Sequence, residues 1–371
     1  MKTILHVCKY YHPYLGGIET VAKYLAEGLT DYQNIVICFS TDGNYHEEVI
    51  NKVRVYRAPV NFSFMSQDVS FRYYWILKKL VIQYAPYAIH VHCPNPFVYP
   101  LVEMVADDVT KVVLHWHSDI LSKGIIYSFI KHFENRILDR ANVIISTSPN
   151  YISHSVPLMK HRDKVKVVQN GIILSNFILR SGEAERVEEI RRSFSGKKIV
   201  YFVGRHVPYK GIDCLIRADK YITSDCVILI AGSGPQDDYL QSIECSERIR
   251  FVGRLSDTEL RLYSHAADVF AFPSINKAEA FGVALAEAMF CRSVPVTYTI
   301  EGSGVNWVSI GGETGEEVEL SNVKAFAAAV DKILQDDRLR EQYAEKAYQR
   351  IVQNFTSEVA AKVMGDIYRE M

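Results

Sequence analysis

The sequence predicts an α/β protein built in two parts, each a parallel sheet covered by helices on both faces. Three observations lead there. Short apolar runs alternate with amphipathic helical patterns from the first residues onward, the order in which parallel strands are joined by crossover helices. The alternation stops in a polar, charge-rich stretch from Ser175 to Lys198, which reads as the crossing between domains, and then resumes. The 371 residues are enough for two domains of ordinary size, each with its own core.

The first series runs through strands at Ile4–Val7, Ile35–Phe39, Val53–Arg57, Ile89–His92, Val112–Trp116, Val143–Ser146 and Val165–Val168. A helix is expected from Ile18 to Leu29, after a loop that ends in Gly16-Gly17. A glycine pair between a first strand and its helix lies at the carboxyl edge of the sheet, where open α/β folds bind ligands. The second series has strands at Ile199–Val203, Val227–Ala231, Ile249–Val252, Val269–Phe272 and Val294–Thr297. Helical patterns close the chain from Asn322 to Leu334, Asp337 to Gln353 and Ser357 to Arg369. The last carries Val359, Ala360, Val363, Met364 and Ile367 at helical spacing, so it needs a surface to cover.

Composition narrows the function. A net charge of −1 provides no overall field for nucleic acid, which is not expected as a partner. The seven cysteines are scattered without a C-x-x-C pair, so buried reduced thiols are expected rather than disulfides or zinc. Met1–Cys8 reads as a first strand and not as a signal peptide. No uninterrupted stretch approaches the roughly 20 apolar residues of a membrane span. The expected location is the cytoplasm.

The most informative stretch is P-S-I-N-K-A-E-A-F-G-V-A-L-A-E, Pro273 to Glu287. It follows a buried strand and runs into a series of strong helix formers after Gly282. Gly282 lets a ligand approach the backbone, and the first N–H groups of the helix are unpaired donors. Glu279 in the loop and Glu287 in the helix accept hydrogen bonds and suit hydroxyl-rich groups. Upstream, the Gly-bounded loop Gly204-Arg205-His206-Val207-Pro208-Tyr209-Lys210-Gly211 carries two cations that suit a diphosphate: guanidinium grips phosphate oxygens in pairs, and ammonium adds a mobile point charge. A diphosphate flanked by two polyols is a nucleotide sugar. Gly232-Ser233-Gly234-Pro235 is a weak dinucleotide signal, lacking the third glycine. His115, His117 and Asp119 offer metal-ligand types at a strand end. With no third histidine arranged as in a zinc helix, and with alternate strand residues taken to face opposite ways, no metal is expected there. His117 is read as a polar residue facing the cleft.

These motifs together resemble the retaining glycosyltransferases of family 4 (group 1), which have the GT-B fold. The resemblance rests on G-R-x(4)-K-G at Gly204–Gly211, on P-S-x(4)-E-x-F-G-x(4)-E-A with Glu279 and Glu287, on Gly16-Gly17 and on Asn170-Gly171, in the expected order over nearly the whole chain. It implies two Rossmann-like domains facing across a cleft. Residues 1–174, with a C-terminal helix 356–371 crossing back, would take the acceptor, and 175–355 the donor. Arg205 and Lys210 would neutralise the leaving diphosphate. Glu279 would bind sugar hydroxyls, aided by the Phe281, Gly282 and Val283 backbone. Glu287 would hold the ribose, Gly17 would approach the phosphate, and His117 would meet sugar or acceptor. Two departures stand out: Arg292-Ser293 precedes the Val294 strand where the family has a glycine, and the family's acid before its final helix is replaced around Asn306-Trp307. The absence of any D-x-D triplet fits a metal-independent enzyme without cofactors.

The segment from Phe62 to Tyr87 is rich in aromatics, and Phe71–Lys79 mixes them with cations as interfacial helices do. A helix Ile125–Leu138, with Tyr127, Phe129 and Phe133 beside Lys131, His132 and Arg136, repeats the mixture. Both also suit a core-facing helix with solvated lysines. The expected reading is a hexosyltransferase, with GDP-mannose or else a UDP-hexose as donor and a lipid-linked saccharide as acceptor, in bacterial surface polysaccharide assembly, peripheral on the inner membrane face. A GT-B nucleotide-sugar 2-epimerase and a non-catalytic nucleotide-sugar binding module are the alternatives.

Overall fold

In the computed structural model, residues 1–14, 16–64, 67–120 and 125–371 are described, with the side chains of 125–127 and 129 outside the description. The aromatics expected at Tyr127 and Phe129 fall among those side chains, and Leu15 of the first loop also lies outside. The chain forms two compact units, Met1–Gly171 together with Ser357–Met371, and Ile172–Thr356.

The first unit contains β1 (Thr3–Val7), β2 (Gln33–Phe39), β3 (His46–Ile50), β4 (Val53–Ala58), β5 (Phe62–Phe64), β6 (Gln67–Val69), β7 (Ala88–Cys93), β8 (Lys111–Trp116), β9 (Val143–Ser146) and β10 (Val165–Val167). Eight of them form one sheet in the order β10-β9-β8-β7-β1-β2-β4-β3, while β5 and β6 pair separately. Pairing within the eight-stranded sheet is parallel except at the β3 edge, and β5 and β6 are antiparallel. The central strands β1 and β7 are buried along their whole length, which is why they read as continuous runs and not as alternation. The helix Ser357–Glu370 belongs to this unit and buries Ala360, Met364, Ile367 and Tyr368. It lies close to the helix Gly17–Gly28: a side chain at Gly28 would come within 3.1 Å of the Ala361 Cβ.

The second unit holds β11 (Lys198–Val203), β12 (Cys226–Ala231), β13 (Ile249–Gly253), β14 (Val269–Phe272), β15 (Val294–Tyr298) and β16 (Glu316–Val318), all parallel, in the order β13-β12-β11-β14-β15-β16. The order reverses between β11 and β14. That reversal is the topological switch point, and doubly wound sheets bind ligands at the carboxyl edge there.

One expectation changes. The polar stretch Ser175–Lys198 lies within the second unit and contains the helix Glu183–Ser193, with acids in its first turn and Arg191 and Arg192 in its last, matched to the helix dipole. Arg261 anchors it through a buried two-pronged pair with Glu183, at 2.6 and 2.8 Å. No described helix is long and apolar enough to cross a membrane.

Candidate active site

At the switch point of the second unit, the loops after β11 and β14 are pressed together. Gly211 adopts φ +61°, and any Cβ there would lie 2.1 Å from the Pro273 carbonyl, so glycine is required at this contact. The Ile275 N–H donates to the Tyr209 carbonyl at 2.9 Å and fastens the two loops. This approach brings Lys210 to Glu279. Their side chains form an ion pair through Oε2, with 11% and 10% of each exposed. Ser274 Oγ donates to the same oxygen at 3.1 Å, and neither contact uses Oε1. Burial by itself lowers the Lys210 pKa, but the charge and hydrogen bond of Glu279 outweigh it, so the ammonium is held above its ordinary range. Arg205 is exposed on the same loop and forms no side-chain hydrogen bond or ion pair among the described residues.

Gly282, at φ +87°, caps the helix Val283–Phe290. The loop before it is braced from the segment after β15: Ser303 Oγ donates to the Glu279 carbonyl, and the Gly304 N–H donates to Ala280 at 2.9 Å. Phe281 is buried against Phe355, with ring centroids 5.7 Å apart. Glu287 is half-buried on the helix, and burial together with nearby Asp257 pushes its carboxyl up to about 8. It is therefore protonated near neutral pH and can donate as well as accept.

A cavity of about 460 Å³ opens beside Arg205, lined by Gly204, Gly232, Ser233, Gly234, Pro235 and Arg254. A Cβ at Gly232 would lie 1.8 Å from the Gly204 carbonyl and one at Gly234 2.4 Å from the His206 carbonyl, so both glycines serve the contact between the loops after β11 and β12. Arg254 follows β13 and donates to Ser233 Oγ at 2.6 Å. Sequence reasoning missed Arg254; the only signal was a cation directly after a strand ending in Gly253.

In the first unit, Gly16 and Gly17 start the helix Gly17–Gly28 at the carboxyl end of β1, and open space surrounds the position a Cβ would take at Gly17. The expectation that His115 and His117 face opposite ways needs correction. Residues two apart on a strand share a face, so His115 and His117 stack, with centroids 4.2 Å apart and planes at 12°. They join His6, His90 and His92 in a buried layer. His117, only 5% exposed, ends this layer. Burial lowers every pKa in it, that of His6 to about 4 and that of His117 to about 3, and neighbouring imidazoles add to the fall at His90, His92 and His115. All five rings are neutral at pH 7. Nitrogens of His90, His92 and His115 lie within 4.8 Å of one another. Each of these rings, however, spends ring nitrogens on hydrogen bonds, His90 Nε2 with His115 Nδ1 at 3.2 Å and His92 Nδ1 with His117 Nε2 at 3.2 Å, so their lone pairs do not converge on one ion. Asp119 faces elsewhere, accepting from Trp116 Nε1 at 2.9 Å and Ser155 Oγ at 2.6 Å.

Residues 15–176 match the family described as Glycosyltransferase Family 4, and residues 184–350 the one described as Glycosyl transferases group 1. The chain is a group 1, family 4 glycosyltransferase. Two relatives extend the match over almost the whole length. The D-rhamnosyltransferase WbpZ of Pseudomonas aeruginosa is 28% identical, covering 95% of this chain and 93% of the relative. The O-antigen chain mannosyltransferase C of Escherichia coli is 26% identical, covering 98% and 97%. Sucrose-phosphate synthase of Thermosynechococcus elongatus, 21% identical, superposes with a TM-score of 0.80 over 100% of this chain and 99% of its own. The fold of this glycosyltransferase is GT-B, and its enzyme class is hexosyltransferase.

Proposed function

We propose that this glycosyltransferase moves a hexose with retention at the anomeric carbon, from GDP-mannose first and a UDP-hexose otherwise, to a lipid-linked saccharide in bacterial surface polysaccharide synthesis. The observation that carries the reading is the Lys210–Glu279 pair beside Arg205, at the switch point of the second unit. Glu279 keeps Oε1 for a hydroxyl of the transferred sugar, and the Lys210 ammonium has two further N–H donors for phosphate oxygens. As the glycosidic bond breaks, the sugar becomes oxocarbenium-like and charge builds on the departing diphosphate. Lys210, held by Glu279, meets that charge in place, the kind of fixed electrostatic stabilisation worth most in a transition state, and Arg205 adds a second cation from the same loop. Because the two cations supply positive charge directly, the reaction is metal-independent. Gly17 would approach the phosphate, the Phe281–Val283 backbone would assist at sugar and phosphate, and Glu287 would hold the ribose. Residues 1–174 with 356–371 would form the acceptor domain and 175–355 the donor domain. The mannosyltransferase and D-rhamnosyltransferase relatives support a surface polysaccharide role and make mannose the first sugar to try.

A lipid-linked acceptor is supported by the helix Tyr73–Tyr84. Tyr73, Leu77 and Leu80 face the core, while Trp75, Lys78, Lys79 and Ile82 are exposed. Phe62, Phe64 and Phe71 nearby in the chain are exposed as well. Aromatic and apolar groups among lysines suit a peripheral seat on an anionic membrane face. Replacing Trp75, Lys78 and Lys79 together should weaken binding to anionic liposomes, and unchanged binding would leave the helix without this role. The test of the whole reading is a melting-temperature panel of nucleotide sugars in EDTA. A ligand that binds only the folded state raises the melting temperature, and GDP-mannose should raise it most. No shift with any nucleotide sugar would refute the reading.

A further inference from the structure

The five buried histidines contain a hydrogen-bonded chain whose direction can be worked out. Asn34 Nδ2 donates to two carbonyls, Leu29 at 2.9 Å and Tyr32 at 3.2 Å, which fixes the amide and turns Oδ1 toward His6 Nε2 at 3.2 Å. An amide oxygen only accepts, so His6 carries its proton on Nε2. A neutral imidazole has one proton, and His6 Nδ1 is therefore a lone pair facing His92 Nε2 at 3.4 Å. His92 must donate from Nε2, which leaves its Nδ1 as acceptor for His117 Nε2 at 3.2 Å. His117 then donates inward and ends the chain with a bare Nδ1. The first two rings are 0% and 1% exposed and His117 is 5%, so the chain runs from the interior to its least buried member.

We propose that Asn34, His6 and His92 are positioning residues that lock His117 in the Nε2–H tautomer, so that it presents a hydrogen-bond acceptor to a saccharide hydroxyl and never a proton donor. This deepens the reading under Proposed function and rests on it for the hydroxyl. The locking itself stands on the geometry above. The sheet explains why the device is rigid. His6 lies opposite His90 in the β1–β7 register and His92 opposite His115 in β7–β8. Backbone pairing thus sets the ring spacing, and parallel stacking restrains ring rotation. A second chain, Tyr368 to His90 and His90 Nε2 to His115 Nδ1 at 3.2 Å, stops at His115 Nε2, which is buried without a partner among the described residues. Only the Asn34 chain reaches His117.

The experiment is nitrogen-15 NMR of the full chain with labelled histidine, reading the proton-bearing nitrogen of each ring and the scalar coupling across each N–H···N bond. The expected result is protons on Nε2 of His6, His92 and His117, with couplings from His117 Nε2 to His92 Nδ1 and from His92 Nε2 to His6 Nδ1. A proton on His92 Nδ1 would overturn the proposal. Two variants add the functional arm. His92→Gln keeps the polarity, since its NH₂ can donate to His6 and its oxygen accept from His117, whereas His92→Leu cuts the chain. His92→Leu should lower kcat about tenfold to hundredfold, with donor binding and melting temperature near those of His92→Gln, and His92→Gln should recover most of the loss. Equal kcat for the two would refute a positioning role. Normal turnover in His117→Ala despite the expected couplings would instead remove the hydroxyl contact and leave the locking intact.

Discussion

The two units bury their titratable groups in opposite ways. At the switch point of the second unit, Lys210 and Glu279 keep their charges by pairing, braced by Ser274. Near the centre of the first unit's sheet, His6, His90, His92, His115 and His117 give up charge altogether and stack as neutral rings. Desolvation acts on both sets; the difference is whether a counter-charge is within reach. The contrast teaches what each region can offer a ligand. The charged pair can answer charge that develops on a leaving group, while the neutral layer can offer only hydrogen bonds of fixed direction.

Acid should break the contrast most sharply. The five histidines have folded pKa values below their ordinary 6.5. As pH falls through 6.5 the unfolded chain takes up protons that the folded chain refuses. Stability fully present above that value is therefore lost toward pH 4, by about 1.4 kcal/mol per pH unit for each histidine. Urea unfolding between about pH 7 and pH 5 should show the fall, and His115→Phe should make it shallower by one histidine's share. A level profile would mean that the rings accept charge in place.

Breaking the ion pair comes next. Lys210→Ala leaves Glu279 buried and unpaired and should cost about 3–5 kcal/mol in urea unfolding. Lys210→Met with Glu279→Leu should recover most of that stability and no activity. If the double variant were as unstable as the single one, the loops and not the pair would set the cost.

The smallest effect is at Glu287. Its folded pKa is raised to about 8, so the stability it contributes is complete below its unfolded value and is lost as pH rises through about 8. Glu287→Gln should therefore melt above wild type at alkaline pH, match it near pH 5 and raise the donor KM with little change in kcat. A melting difference independent of pH would contradict this.

The alternation of apolar runs made both sheets legible, because fully buried parallel strands need continuous apolar sequence. The strands that escaped are short or exposed and held by tertiary pairing: β3 is His46-Glu47-Glu48-Val49-Ile50 and mostly exposed, and β5, β6 and β16 have three residues each. The loop motifs named Lys210 and Glu279, but not their pairing, which depends on the backbone contact at Gly211. The histidine layer is legible in principle, since His90-Val91-His92 and His115-Trp116-His117 repeat the same i, i+2 pattern on neighbouring strands, and residues two apart on a strand share a face. The departure at Arg292 has a local answer: it occupies the left-handed region at φ +68°, the conformation a glycine would favour, and its guanidinium pairs with Glu345 at 2.6 Å. Asn306 also turns inward, accepting from the Ile300 N–H at 2.8 Å and donating to the Tyr298 carbonyl at 3.1 Å.

The central claim is that the two cations at the second unit's switch point stabilise the departing diphosphate. Arg205 tests it most directly, because its side chain is exposed and bears no part of the fold. Steady-state and binding measurements on Arg205→Ala should use the nucleotide sugar that raises the melting temperature most. The expected result is a kcat lowered by about 2.7–4 kcal/mol of barrier, a hundredfold to a thousandfold, with donor affinity and melting temperature close to wild type. A normal kcat with only a raised KM would contradict it, since Arg205 would then bind the donor equally in ground and transition states.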